Sequence, residues 1–371
     1  MFSLLSLPQV VLRTVAETME LLDLIKLCLV SRKFYNTVRK SRRIESLEWT
    51  FDDDIDSYIQ LVGSKERLNN EACSSYCINF PPPEKLSEFR EDVLEGRPFL
   101  SVFSPVSILG VPVFVSRTMD SEPSFAVFMV DYTVETQERY MEVIKLFSKF
   151  LHDLFRIDGH IVKFNCTMPS IIDCFVFDYS KKLLEFGVRR DELLTQEELQ
   201  YIFSQLEFKV LYLHTTLPRD HGQLIPLKSE MVSIQHTDWL DLNAILNSES
   251  RSIVVLDDSL SDSDWNRIIK KWLDGGLGKL QKLTMHFEYE QNKVETGIMD
   301  GIRNWVQFSE ARRPRYYRET PALCNREEIR GWDMQRDDGI WATLSIGKFR
   351  LRDKWKRNRV ELFVWLKEYH L

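Results

Sequence analysis

Six cysteines and seven histidines are the side chains of this 371-residue chain best suited to metal or nucleophile chemistry, and their spacing assembles neither. A structural zinc site needs two short-spaced ligand pairs, and Cys73-x-x-x-Cys77 is followed by no Cys or His pair to complete one. The histidines, among them His214 and His286, include no helical ligand pair four residues apart. Asp257 to Asp264 alternates Asp and Ser in the manner of a calcium loop. However, Asp262 stands where the sharp turn needs glycine and Ile268 where the closing glutamate belongs, so Ser261 and Asp264 read as a helix cap. Gly275-Gly276-x-Gly278 follows a helical stretch instead of opening one and lacks a Gly-Lys-Ser/Thr ending, which makes it a helix stop and not a phosphate cradle. With no Gly-x-Ser-x-Gly elbow and no Cys, His and acidic set of recognisable signature, the residues define no catalytic centre and call for no cofactor. The expected activity is binding.

Composition narrows what is bound. A net charge of −7 and a pI near 5.7 give no global attraction to phosphate, so nucleic acid is not expected as a partner except at a local patch. The basic stretch Lys348 to Arg359, with Trp355 inside it, is the one candidate for an RNA-contacting ribbon. Its alternation of Phe349, Leu351 and Trp355 with Arg350, Arg352, Lys354 and Lys356 reads better as an antiparallel strand with a solvated side. No apolar run approaches the ~18 residues of a membrane span, and no signal-like start precedes Pro8 and Arg13, so an intracellular protein of cytoplasm or nucleus is expected. The cysteines are too scattered for a disulfide framework, and Cys28 and Cys174 sit in apolar runs as buried thiols.

The elements that position any binding surface follow from periodicity. Pro8 suits a helix start, and Val11, Leu12, Val15, Ala16 and Met19 recur at helical spacing. Asp23 caps a second predicted helix with apolar positions Leu24, Leu27, Cys28, Phe34, Tyr35 and Val38, whose end is suited by Arg39, Lys40, Arg42 and Arg43. Residues 45–100, with the acidic run Asp52 to Asp56 and Pro81-Pro82-Pro83, read as a loosely structured connection with a short helix after Pro83. Val111 to Val115 and Phe125 to Tyr132 predict two paired strands, and Thr136 to Phe155 a long helix. Then four apolar pairs, Leu211/Leu213, Val232/Ile234, Ile253/Val255 and Leu283/Met285, recur at intervals of 21, 21 and 30 residues with helical stretches between most of them. Thr195 and Glu198 form a capping box ahead of this array. Its spacing is near that of leucine-rich repeats without their asparagine ladder, and predicts a curved parallel sheet. Asp338-Gly339 marks the turn of a C-terminal antiparallel hairpin.

Two stretches carry a family resemblance. Leu7-Pro8, the apolar residues through Leu12 and Val15, Asp23-Leu24, and Leu27 through Leu29-Val30-Ser31-Arg32-Lys33-Phe34 resemble an F-box, with Gln9-Val10-Val11 where an acidic residue usually follows the Leu-Pro pair. Leu194 to Leu213, Ser233 to Leu246, and Ser259 to Gly276 with its Lys270-Lys271-Trp272, ending in Leu280 to Met285, resemble the type 2 F-box-associated domain of the expanded nematode F-box proteins. The resemblance implies a non-catalytic substrate receptor of a Skp-cullin-F-box ubiquitin ligase. Its N-terminus would bind a Skp-family adaptor, and through it a cullin, while its C-terminal domain holds an unknown target protein. The alternative is a non-catalytic protein- or RNA-binding scaffold outside any ligase.

The expected fold class is therefore α+β. A helical F-box over 1–44 and a connection over 45–100 lead into a mixed α/β recognition domain over 101–371, with a repeat-like core over 170–290 and a C-terminal hairpin. Adaptor contacts are expected from Leu7, Pro8, Val11, Leu12, Leu24, Leu27 and Val30. If Leu211, Leu213, Val232, Ile234, Ile253, Val255, Leu283, Met285 and Phe287 point inward, their neighbours face the other way. Tyr212, His214, Ser233, Gln235, Lys282, Thr284, His286 and Glu288, with Val254, are thus the expected target-binding face.

Overall fold

Three short helices open the chain in the computed structural model, which describes residues 6–19, 21–52, 57–62, 75–80, 101–108, 111–118, 125–130, 137–166, 171–217, 227–235, 242–256, 260–287, 297–302, 305–307, 316–317, 327–328, 331–351 and 355–365. Helix α1 spans Gln9–Thr18, α2 Leu21–Val30 and α3 Arg32–Val38. Pro8 stands just before α1, and its carbonyl accepts the first helical hydrogen bond from the Leu12 N–H at 3.0 Å. The single second helix expected from Asp23 to Val38 is two. Asp23 lies inside the first turn of α2, and Ser31 takes extended dihedrals and caps α3 by accepting from the Phe34 N–H at 3.2 Å. Arg39 and Lys40 therefore close α3, while Arg42 and Arg43 open a strand.

The chain folds as two compact units, Met1–Phe186 and Gly187–Leu371. In the first, β1 (Arg42–Asp52), β2 (Ser57–Val62), β3 (Ser75–Phe80), β4 (Ser101–Ile108), β5 (Val111–Thr118) and β6 (Phe125–Val130) precede α4 (Gln137–Leu154) and β7 (Phe155–Asn165). Their order in the sheet is β7-β1-β2-β3-β6-β5-β4. Strand β1 runs antiparallel to β2 and parallel to β7. Residues 45–80, expected as a loose connection, thus supply β1, β2 and β3. Leu47, Trp49 and Phe51 share one face of β1 with their registered partners Leu61 and Ile59 on β2, and all five are buried. Their alternation with polar residues is a strand signal, overlooked beside the acidic run Asp52 to Asp56. Residues 81–100, and with them the helix expected after Pro83, lie outside the described residues. The expected paired strands are β5 and β6, antiparallel and in register from Val113 opposite Val130 to Thr118 opposite Phe125. The long helix stops at Leu154, because Phe155 already begins β7.

Strand β8 (Lys182–Arg189) runs across the division between the units. The second unit continues with α5 (Gln196–Gln205), β9 (Glu207–His214), β10 (Met231–Gln235), α6 (Leu242–Leu246), β11 (Ser252–Val255), α7 (Asp262–Leu273) and β12 (Lys282–Phe287). Strands β9 to β12 are parallel neighbours, and the four apolar pairs meet in register. Leu211, Val232, Ile253 and Leu283 form one row and Leu213, Ile234, Val255 and Met285 the next, all buried. Helix α7 begins with the Ser261/Asp264 capping box, buries Trp265, Ile268, Ile269 and Trp272, and ends at Gly275 with φ +84°.

The C-terminal strands are β13 (Trp305–Gln307), β14 (Tyr316–Tyr317), β15 (Glu327–Glu328), β16 (Trp332–Gln335), β17 (Trp341–Leu351) and β18 (Trp355–Trp365). The second unit's sheet runs β13-β16-β17-β18-β12-β11-β10-β9, with β14 and β15 paired separately. The β16–β17 turn carries Gly339 at φ +85°, as the Asp-Gly pair requires. Lys348 to Arg359 is not one strand. It is the two arms of a hairpin, with Leu351 opposite Trp355, Arg350 opposite Lys356 and Phe349 opposite Arg357.

The start of α5 concentrates buried charge. Thr195 accepts from the Glu198 N–H at 3.1 Å, and Glu198 accepts from the Thr195 N–H at 2.9 Å and from Arg190 at 2.6 Å, with both charged residues buried. Glu198→Ala would leave the Arg190 guanidinium buried without its carboxylate, so urea denaturation should show a loss of about 3–5 kcal/mol. Thr195→Ala removes only a cap and should cost about 1 kcal/mol.

Candidate interaction surfaces

A cluster of apolar side chains left in water by a folded module marks an interaction surface, whereas lone ones carry no such meaning. Among the described residues six large hydrophobic side chains are exposed, and three of them, Val10, Val11 and Val30 at 75%, 42% and 66%, belong to α1 and α2. They are exposed because the module closes its own core. Leu12 and Ala16 of α1, Leu21, Leu24, Ile25 and Cys28 of α2, and Phe34 and Val38 of α3 are buried, with α3 packed on both other helices. At about 100° per residue, Val10 lies roughly 160° around α1 from Leu12, on the far side from that core.

This sorts the residues expected to touch an adaptor. Val11 and Val30 are open, Pro8 is exposed, and Leu7 and Leu27 are half-buried. Leu12 and Leu24, at 2% and 1% exposed, offer no surface to a partner and instead hold the module together. Val10 was missed because it falls off the apolar stripe; an apolar residue opposite a stripe that is already complete was the available signal. Burial also pushes the Cys28 thiol up to about 12, so it is an inert core group.

The helices are joined to the first unit's sheet through Lys40. Its backbone takes φ +60°, and its N–H donates to the Leu154 carbonyl at 2.7 Å. Its ammonium donates to the Phe155 carbonyl at 2.9 Å and to the His152 carbonyl. One residue thus satisfies carbonyls that the end of α4 would leave bare, with a positive charge at the negative end of the helix. Tyr35 of α3 stacks on Phe150 of α4 at 5.6 Å beside it.

The face of the second unit's sheet opposite the aliphatic rows is polar, as alternation requires, yet much of it is closed. Ser233, Lys282 and Thr284 are buried, so this part of the expected target face is not available. The reason is local pairing. Thr284 donates to Glu361 at 3.1 Å, and Lys282 stands 3.9 Å from Glu361 and 5.5 Å from the centre of the Phe363 ring. Ser233 lies 3.0 Å from His214 Nε2. On the same face Thr343 donates to Asp333 at 2.7 Å and accepts from the Trp365 indole at 2.8 Å. Tyr212, His214, Gln235 and Val254 remain half-buried. His286 takes its place on β12 opposite Arg359, and Glu288 lies outside the described residues.

The first unit's sheet repeats this arrangement. Lys163 of β7 lies 3.0 Å from Glu48 of β1 and 3.0 Å from Glu185 of β8. Burial works against its charge, but the two carboxylates outweigh it and hold the ammonium protonated well above its ordinary value. Among the described residues no group of three or more His, Cys, Asp or Glu side chains is placed to hold a metal ion, and no helix is long and apolar enough to cross a membrane. Cys73 lies outside the described residues and Cys77 lies on β3.

Comparison with known families agrees with these two regions. Residues 4–46 match the F-box domain family, and residues 221–285 match the F-box associated family. The N-terminal helices form an F-box, and the parallel strands β10 to β12 fall in F-box-associated sequence. That pairing fits a substrate receptor of the Skp-cullin-F-box type, since F-box domains bind Skp-family adaptors and both domain types typically serve as non-catalytic adaptor domains. No curated protein and no solved structure matches the chain.

Lys282→Glu would set a second carboxylate against buried Glu361 and should destabilise the chain by about 3–5 kcal/mol in thermal or urea unfolding. Gln235→Ala, at a half-buried position on the same face, should stay within about 1 kcal/mol of the parent.

Proposed function

We propose that the chain is the substrate-receptor subunit of a Skp-cullin-F-box ubiquitin ligase in the cytoplasm or nucleus. Its F-box docks a Skp-family adaptor through Val10, Val11 and Val30, with Pro8 and the half-buried Leu7 and Leu27 beside them. The observation that carries this reading is the exposure of three valines on a helical module whose core is already complete without them. An apolar partner groove would remove them from water at about 25 cal/mol per Å² of apolar surface. The rest of the chain presents a target protein, for which the half-buried Tyr212, His214 and Gln235 are the accessible part of the second unit's polar face. The chain does no bond chemistry itself. It holds target lysines at high effective concentration beside a ubiquitin-charged enzyme carried elsewhere in the ligase.

The test is capture of a purified Skp-family adaptor by the full chain. Val10→Asp, Val11→Asp and Val30→Asp together replace exposed apolar groups with charge, so stability should stay within about 1 kcal/mol of the parent. Adaptor affinity should fall at least about a hundredfold, the scale of one or two lost anchors. Undiminished capture by the folded triple variant would refute the assignment. Leu24→Ala is the contrasting control: it should lower stability by about 2–5 kcal/mol through a cavity in the module core.

A further inference from the structure

Four aromatic rings lie nearly parallel beneath the seam between the N-terminal helices and the first unit's sheet. They come from Trp49 of β1, His152 in the last turn of α4, His160 of β7 and Tyr179, just past the 3-10 turn Phe175–Asp178. The two imidazoles stack at 5.2 Å and 5°, Trp49 lies 5.7 Å from each, and Tyr179 lies 4.0 Å from His152. Among the described residues neither imidazole Nε2 has a hydrogen-bond partner, and both atoms are buried.

A histidine in the last turn of a helix ordinarily gains from protonation, because the bare carbonyls there attract positive charge. Here that role is taken, since Lys40 already occupies the carbonyls of His152, Leu154 and Phe155. A proton on His152 would instead bring a second charge beside the ammonium, inside a stack that holds another imidazole. The groups bearing on the pair from the surrounding elements are Lys40 from the α3–β1 turn, Asp153 from α4, and Tyr179 with Asp178. The two carboxylates act on the Tyr179 phenol and not on either imidazole. The ring faces of Trp49 and Tyr179 favour a cation. Burial, His160 and Lys40 outweigh them and push His152 down to about 3, and burial also lowers His160.

We propose that this seam is an acid-sensitive joint, shut while His152 and His160 are neutral and released when they take up protons. A proton that cannot enter the closed stack can enter the open one, where the imidazoles have their ordinary value near 6.5. The sign follows from linkage: the closed form has the depressed values, so its advantage is complete above about 6.5 and is lost as pH falls below that. Because Lys40 and the Tyr35–Phe150 stack share the seam, opening frees the F-box helices from their seat on α4. The joint would thereby couple the placement of the adaptor-binding module to pH. This inference rests on the ring stack and does not require the adaptor reading.

Amide hydrogen exchange on the full chain tests it, at pH 7.5 and pH 6.0, both above the pI of 5.7, with intrinsic rates corrected. Over residues 38–49 and 148–160 the opening constant should rise about fourfold if one histidine is exposed on opening and about fifteenfold if both are. Exchange in β9 to β12 should not follow. His152→Phe with His160→Phe keeps the stacked rings and should abolish the pH response. A response that survives this double variant, an equal response throughout the chain, or none in the parent would each overturn the proposal. If the double variant does not fold, the imidazole resonances of the parent decide: a His152 midpoint near 6.5 in the folded chain would mean that the proton enters without opening, and the joint would be ruled out. A midpoint well below 6, with the parent's protection over 38–49 and 148–160 lost on acidification, upholds it.

Discussion

Alternation of side chains across strands governs both units. A strand sends every second side chain to each face, and here the face opposite the aliphatic rows carries mostly polar groups, with Val254 among them. Where that second side is also shut off from water, the polar groups must satisfy one another. Buried Glu48 is met in this way by half-buried Lys163, itself paired with Glu185, in the first unit, and Thr284, Lys282 and Glu361, with Asp333, Thr343 and Trp365, do it in the second. A buried charge without its partner costs several kcal/mol, so these sets act as register marks: a one-residue slip of any strand would strand them among aliphatics.

This constraint decides where interaction surface remains. A polar sheet face looks like a binding face in sequence, but side chains committed to each other cannot also serve a partner without losing those bonds. Among the described residues what is left includes the β9 to β11 side, where Tyr212, Gln235 and Val254 are only half-buried, and the N-terminal helices. There the geometry is the reverse. Short helices cannot bury every apolar face against each other, and the side turned away from Leu12, Leu24 and Phe34 keeps its valines in water.

Lys40 links these two regimes within the first unit. A lysine in the left-handed region is costly for the backbone, and it is held there because one residue supplies three donors to the end of α4. Helix α4 passes directly into β7 at Phe155, so its last carbonyls have no loop to satisfy them. The F-box helices are consequently seated on the sheet by a specific contact and not by a flexible tether. The ring stack of Trp49, His152, His160 and Tyr179 lies beside that seat, with His152 contributing one of the carbonyls that Lys40 occupies.

Local pattern was enough for much of this. The four aliphatic pairs, the helix over 137–154, the capping boxes at Thr195 and Ser261, the stop at Gly275 and the Asp338-Gly339 turn were all legible, because each depends on residues within one element or one turn. Strands β1 and β2 carried a readable alternation in Leu47, Trp49 and Phe51 and in Ile59 and Leu61 that the acidic run between them masked, whereas the burial of Glu48 beside Lys163, 115 residues away, could not be read. The break at Ser31 was overlooked because apolar spacing continues through it, although serine is a preferred N-cap and caps α3 here. Tertiary structure alone decided the rest. The set of F-box residues facing water could not be read from the apolar stripe, since a stripe says which side chains avoid water and only the packed helices say which of them succeeded. His152 and His160 stand eight residues apart on a helix and a strand, and their stacking exists only because α4 turns straight into β7 against Trp49.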